Sequence, residues 1–372
     1  MKPGWKKYLL YAAAVVAGGG LLFILEETIR LGNTGFRTKT LWDWMELLVI
    51  PLVLAFGAFA LNRSEKNIER QNLEERSKLE REIATDRQQE SALQAYLDRM
   101  AELLLKENLL GSTLESKNEE ARNVARIRTL TVLRGLDATR KGLVLLFLHE
   151  ANLIKDKSTI VDLSGADLSN VDLSGASLRY ANLKETNLNN ARLNSTFLRD
   201  VNLSGANLSS ADLGGAILFS ADLSKANLGD ARLQSSNLSK ANLSNANLRN
   251  VNLSGAILNL TDLRSANLPG VNLSNIDLSN EVDLRSAIMN GSNIRNGNLT
   301  NVHLEHAILS DADLSSANLR NADLSYADLR ESDLTSADLT GASLLGAKVD
   351  KKQLATVRSL KGTTMPDGTE HD

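Results

Sequence analysis

The stretch "HLEHA" holds the residue types best suited to chemistry in this chain. His303, Glu305 and His306 bring two imidazoles and a carboxylate together, a set that could ligate a divalent metal. Their setting argues otherwise. Both histidines fall on outward positions of a regular repeat, where they read as polar substitutions on a tolerant surface. His149 sits in an apolar helical stretch and reads as a core or capping residue; His371 lies in a polar tail. The chain contains no cysteine, which excludes disulfides, thiolate metal sites and a thiol nucleophile. It has no phosphate-cradling glycine loop, no H-E-x-x-H and no G-x-S-x-G. The many Asn-Leu-Ser triplets match glycosylation acceptors only as by-products of the repeat. No catalytic, metal or cofactor-binding residue is therefore expected, and the chain reads as a non-enzyme.

What positions these side chains is a five-residue period. In "ADLGGAILFSADL" leucine falls at 213, 218 and 223, a spacing that suits neither a helix nor a strand. From Leu163 to Leu278 every fifth residue is leucine, 24 in register. One extra residue enters at "SNEVDL"; 13 further units run from Leu284 to Leu344, with Met289 and Ile294 the only departures. Two residues before each centre sits a small side chain, and the residue just before the centre is mostly Asp or Asn. This pattern resembles the pentapeptide-repeat family, and the resemblance implies a four-sided tube with five residues to a side. Such a narrow tube accepts one large and one small side chain per side, so Leu with Ala fills it. Each buried Leu contributes about 1.5–3 kcal/mol. Residues twenty apart then stack, which places Asn187, Asn207, Asn227, Asn247 and Asn267 in one column above Asp167 and predicts an amide ladder. The extra residue near Glu281 is expected to form a bulge or a small corner loop.

The pattern A-[DN]-L-x-x that carries the family resemblance extends over about half the chain. That resemblance implies a right-handed quadrilateral β-helix, a pentapeptide-repeat solenoid, spanning 161–350. At a coil spacing of about 4.8 Å, the units give about nine coils and a rod about 43 Å long. It supplies no catalytic residues and no established molecular role. The layout of the whole chain also resembles the membrane-anchored members common in cyanobacteria. The stretches that carry this are "KTLWDWMELLVIPLVLAFGAF", "LQAYLDRMAELLL" and "ARIRTLTVLRGLDATRKGLVLLFLHEANLI".

Residues 1–61 read as a two-helix transmembrane anchor. Tyr8–Leu25 is uncharged, and Leu41–Leu61 is a second apolar stretch with Trp42 and Trp44 at its start. Lys and Arg flank the outer ends more densely than the loop between, which places both ends, and the bulk of the chain, on the cytoplasmic side of a plasma or thylakoid membrane. Residues 62–110 read as a charged helical stalk, a weak coiled coil at most, followed by an amphipathic helix with a stripe of Leu93, Leu97, Met100 and Leu104. Residues 111–160 read as a helical cap, with a capping box at Ser116–Glu119, a stripe of Val124, Ile127, Leu130 and Leu133, and an N-cap at Asp137. Residues 351–372 read as a C-terminal helical lid, N-capped by Asp350 with Gln353, and a mobile tail.

Net charge is −3 for the chain, and residues 161–350 carry 21 acidic against 14 basic side chains. There is no basic footprint for nucleic acid. One outward column breaks the polar surface rule: Phe197, Ile217 and Ile257, with Phe219 and Leu260 beside them. Contiguous outward apolar residues mark an interface, either with a protein partner or second copy, or with the chain's own helices. The function expected is a non-catalytic, membrane-tethered interaction scaffold; the alternative is a DNA-mimic binder of a topoisomerase or other DNA-binding protein.

Overall fold

The computed structural model describes residues 50–106, 109, 116–155 and 159–372. The chain divides into two compact units, Met1–Ile83 and Ala84–Asp372. The helices are α1 (Ile50–Leu105), α2 (Ser116–Gly135) and α3 (Ala138–Glu150), with a single helical turn α4 (Lys351–Leu354) near the end. Two short strands, β1 (Thr363–Thr364) and β2 (Glu370–His371), close the chain.

Between α3 and α4 the chain is a four-sided parallel solenoid. Each side is five residues long and ends in a β-turn. The N–H of Ala166 donates to the Leu163 carbonyl at 2.8 Å, and Ala216 repeats this to Leu213 at 3.0 Å. The second turn residue is left-handed on side after side, from Gly165 at φ 74° to Gly346 at 65°. With only that residue at positive φ, the turn is type II. This explains a restriction that the five-residue consensus leaves open. From Gly165 to Gly346 the left-handed position holds Asn, Ser, Asp, Gly, Lys, Glu, Tyr, His or Leu, never a β-branched residue. A β-branched Cβ cannot sit there without strain. The central leucines are almost wholly buried, as are Met289 and Ile294, which replace two of them.

Coils are joined by a single parallel bridge per side, at the Asp/Asn position: Asn187↔Asn207, Arg192↔Asp212, Phe197↔Ile217 and Asn202↔Asp222 represent the four sides. The outward Asp or Asn has two tasks. Its Oδ1 accepts the N–H two residues on, as Asp162 does from Ser164 at 2.9 Å, which stabilises the turn. In the column above Asp167, where it is Asn, Nδ2 also reaches the coil before it. Asn187 donates to Asp167 at 3.1 Å, Asn207 to Asn187 at 3.1 Å, Asn227 to Asn207 at 3.2 Å and Asn247 to Asn227 at 2.8 Å. Asp167 ends the ladder as an acceptor, and Lys141 of α3 pairs with its other oxygen at 3.4 Å.

The extra residue is absorbed where expected. Glu281 is left-handed at φ 52°, and bridges that join residues twenty apart (Asn247↔Asn267) become twenty-one apart (Asn267↔Ile288) before reverting at Ile288↔Ile308. Next to it, Ile276 takes the position that elsewhere holds Ala, Val, Thr, Ser or Gly. Between its coil and the one before, the N–H groups of Leu253, Gly255 and Leu258 donate to no backbone carbonyl among the described residues. A cavity of about 120 Å³ opens there between residues 253–256 and 272–277.

Both ends of the solenoid are closed. At the first coil, donors and acceptors come from the helical segment on every side: the Ile154 carbonyl takes the Asn182 N–H at 2.7 Å and Ala138 that of Asp172 at 3.4 Å. Arg126 and Lys141 reach the carbonyls of Ser164 and Ser169 at 3.4 and 3.3 Å, and His149 Nε2 lies 3.1 Å from that of Arg179. Val144, Leu145 and Leu148 of α3 fill the tube's mouth. Gly142 is required here, because a Cβ would stand 2.7 Å from the Asp172 carbonyl oxygen. Arg140 of α3 ties the segment together through Asp86 at 2.7 Å and Glu90 at 3.1 Å on α1, and through the N-cap residue Asp137.

The membrane hairpin expected over 1–61 finds no support: among the described residues no helix is long and apolar enough to cross a membrane. Tyr8–Leu25 and the start of Leu41–Leu61 lie outside the described residues. Other expectations require correction. The apolar Ile50–Leu61 stretch runs without a break into the charged stalk as one helix. Residues on α1 that bury are Leu93, Tyr96, Met100 and Leu103, one helical position away from parts of the expected stripe. On α2 the buried face is Ala121, Ala125, Thr129 and Leu133, while Ile127 is 61% exposed. Small residues win this face because the Tyr96 ring packs there, its hydroxyl 2.9 Å from Thr129 Oγ1.

The C-terminal lid is one turn, not a longer helix. Asp350 caps it with Gln353 as expected, but the Gln353 amide then donates to the Leu329 and Ser332 carbonyls. The chain resumes the solenoid course, with Ser359 bridging Asp338 and Thr364 bridging Ser343. The tail folds back as β2 against β1, pairing the edge that Thr363–Thr364 would otherwise expose. Asn227→Asp removes one donor from the amide ladder and sets two acceptors face to face. It should lower stability by about 1–3 kcal/mol at neutral pH, with partial recovery once the new carboxyl is protonated; urea denaturation at pH 7 and pH 4 measures this.

Candidate interaction face

Four sides stack into four columns of outward residues, and one column gathers the apolar exceptions. Phe197 bridges Ile217, Ile217 bridges Asn237, and Asn237 bridges Ile257. Phe219 is the first turn residue on the same side as Ile217, and Leu260 the left-handed turn residue beside Ile257, at φ 59°. Stacking twenty residues apart thus brings all five onto one side of four adjacent coils. Ile257 and Leu260 are 46% and 43% exposed. Phe197, Ile217 and Phe219 are half-buried.

The cover on the aromatic rings is cationic, which the hydrophobic pattern gives no reason to expect. The Arg179 guanidinium lies 5.3 Å from the Phe197 ring centre, and that of Arg199 lies 4.8 Å from Phe219. The Lys240 ammonium lies 5.5 Å from the same Phe219 ring. A signal is present in the sequence. Arg264, Arg285 and Arg330 each follow an Asp two residues earlier, whereas Arg199 follows Phe197 and Arg179 follows Ser177.

Within Ala84–Asp372, the contacts of the helical segment with the solenoid fall at its first coil, at Asn182, Asp172, Ser164, Ser169 and Arg179. Ile288 and Ile308 form a second outward apolar pair on another side, 37% and 39% exposed, stacked above Asn267 where the amide ladder stops.

The histidines are separated in role. His303 lies at the bridge position between Asp283 and Asp323, with Nδ1 3.7 Å from Glu305. His306 turns away into a stack on Tyr326, ring centres 5.2 Å apart and 9° from parallel. Tyr326 in turn lies over Gly346, where a Cβ would stand 2.6 Å from the ring. Among the described residues no group of three or more His, Asp or Glu is arranged to hold a metal.

Charge is divided along the solenoid. Residues 161–260 carry eight acidic and eight basic side chains, while residues 261–350 carry thirteen and six. Within the acidic half, Arg264, Arg285 and Arg330 fold onto Asp262, Asp283 and Asp328 at 2.6, 2.5 and 2.6 Å. Arg330, with help from Lys348, holds the Asp328 carboxyl down to about 2. Serine or threonine in the turn holds Asp277 and Asp333 below the ordinary carboxylate range as well.

The family model for pentapeptide repeats matches residues 161–351 in overlapping segments. The chain belongs to the pentapeptide-repeat family, whose fold is a right-handed β-helix and whose members are generally non-enzymatic. Among solved structures it is similar to HetL, a pentapeptide-repeat protein involved in heterocyst differentiation regulation from the cyanobacterium Nostoc. The identity is 31%, over 61% of this chain and 98% of HetL, with a TM-score of 0.25. It is also similar to a pentapeptide-repeat protein from the Arabidopsis thaliana thylakoid lumen, at 30% identity over 28% of this chain and 66% of that one, TM-score 0.19. A third is QnrB1, a plasmid-mediated fluoroquinolone resistance protein, at 18% identity over 50% and 89% of the two chains, TM-score 0.26. No curated protein matches the chain.

A folded-state carboxyl held below its unfolded value stabilises the fold above the unfolded pKa, and that contribution is lost as pH falls through the folded value. Stability should therefore decline from about pH 4 toward pH 2. Asp328→Asn should make the decline shallower while lowering stability at pH 7; denaturation midpoints across that range measure both effects.

Proposed function

We propose that this protein is a membrane-tethered scaffold that presents the Phe197–Leu260 side of its solenoid to a protein partner on the cytoplasmic face. The observation that carries the reading is that side itself: five apolar residues gathered by the stacking at outward positions, on a solenoid whose other outward positions are mostly polar. A convex rod has no cleft to exclude water from a reacting group, but it holds a long surface rigidly. Tethering is supported by the uncharged Tyr8–Leu25 run with Lys6 and Lys7 before it, and by the basic residues Arg63, Lys66 and Arg70 after the second apolar stretch.

The DNA-mimic alternative fits less well. A mimic of duplex DNA needs acidic charge along its length. Here the acidic excess is confined to residues 261–350, and several of its carboxylates are already paired with arginine.

Phe197→Asp with Ile217→Asp should leave far-UV circular dichroism and the thermal midpoint nearly unchanged, because both side chains point outward. Crosslinking and affinity capture from native membranes should then lose the bands seen with the parent protein. Retention of every band by the double variant would refute the face. Deletion of residues 1–61 should move the protein from the carbonate-washed membrane pellet to the supernatant.

A further inference from the structure

The Phe197–Leu260 side differs from the rest of the solenoid in where its cations go. Where an arginine just after the core centre has an aspartate two residues earlier it folds onto that aspartate, as Arg264, Arg285 and Arg330 do, while Arg249, Arg295 and Arg320 follow an asparagine instead. Arg179 and Arg199 occupy the same position but have Ser177 and Phe197 two residues earlier. Their guanidiniums lie instead on the rings of Phe197 and Phe219, with Lys240 also over Phe219. Arg199 has Asp200 at 3.1 Å. Arg179 and Lys240 have no carboxylate within 4 Å among the described residues.

Two physical consequences follow. A guanidinium held over an aromatic face by cation–π attraction still has N–H donors to offer a carboxylate, and the ring limits where the charge can move. Charge-assisted pairs beside apolar surface are also less screened than pairs in open water. The adjoining corner is open: its left-handed positions run Gly175, Ser195, Gly215, Ser235 and Gly255, all exposed. Backbone pairing is largely used up within the solenoid, so recognition here must be by side chains.

We infer that this strip docks an acidic amphipathic segment of a partner protein, its carboxylates on Arg179, Arg199 and Lys240 and its apolar side chains on Ile217, Ile257 and Leu260. The inference rests on the reading of this side as the interaction face and adds the chemistry of its occupant. Charge complementarity selects that occupant: three cations line an apolar floor, with one carboxylate, Asp200, paired among them.

The test uses the full chain in detergent micelles and a fluorescent 16-residue helical peptide of glutamate and leucine. One control peptide has Gln for Glu, a second has Ser for Leu, and a third has Lys for Glu. Fluorescence anisotropy should show binding of the Glu–Leu peptide that weakens with added salt, and at least tenfold weaker binding of all three controls. Arg179→Gln with Arg199→Gln should weaken the Glu–Leu peptide at least tenfold with an unchanged thermal midpoint. Equal binding of the Lys peptide, or of a 20-base-pair DNA duplex, would overturn the inference. If the arginine variant binds normally while Phe197→Asp with Ile217→Asp does not, the face stands and its acidic occupant is wrong. If neither double variant changes binding, the face itself is wrong. Concentration-dependent sedimentation without peptide, lost in both variants, would assign the strip to a second copy and overturn the inference.

Discussion

The width of the tube governs this structure. Four sides of five residues enclose room for one leucine and one small side chain per side, so every turn must come at the same place and with the same hand. That requirement puts a left-handed residue at the end of each side and keeps β-branched residues out of it. It also leaves one outward residue per side to carry the bridge between coils. Asp and Asn suit that position because a short side-chain oxygen can accept the turn N–H two residues on. Asn adds a donor that reaches the coil before it, and so converts a column of separate turns into a ladder.

A tube built this way has two exposed ends, and both are closed by chemistry absent from the repeat. At the first coil the donors are long basic side chains, Arg126 and Lys141, with the His149 ring, each reaching a main-chain carbonyl. At the last coil a single capped turn, the Gln353 amide and a folded-back strand perform the same task. The irregular coil between them shows what the repeat tolerates. One inserted residue is absorbed at Glu281, but the larger Ile276 beside it coincides with lost main-chain bonds in the preceding interval.

Because the core is satisfied by two inward residues in five, the outward positions can differ without disturbing the packing of the tube. Phe197, Ile217 and Ile257 stand where Asp or Asn stands elsewhere, and the bridges pass through them unbroken as far as Ile257. Function in such a scaffold is then a matter of which outward residues stack together. The same freedom allows acidic charge to collect in residues 261–350 while the preceding hundred residues stay balanced.

The solenoid, its inward leucines, the column assignments and the amide ladder are legible in the sequence, because a five-residue period repeated in register leaves one arrangement that buries every centre. The apolar column is legible for the same reason. The helical segment is less so: Ile127 fits a helical stripe yet is exposed, and Ala121 and Ala125 are buried in its place. Hydrophobic spacing finds an amphipathic helix but not which neighbour it meets, and Tyr96 beside Thr129 favours a small-residue face. The cations over Phe197 and Phe219 escape a reading of the period because the period fixes which positions lie near one another, not which neighbour a long basic side chain turns to. The repeat by itself determined the fold, since its local period and its global packing are the same constraint. Only the tertiary structure decided how the ends are capped, since those contacts join residues that no period relates, and which charges lie over the apolar face, since a long side chain can turn to any of several stacked or adjacent neighbours.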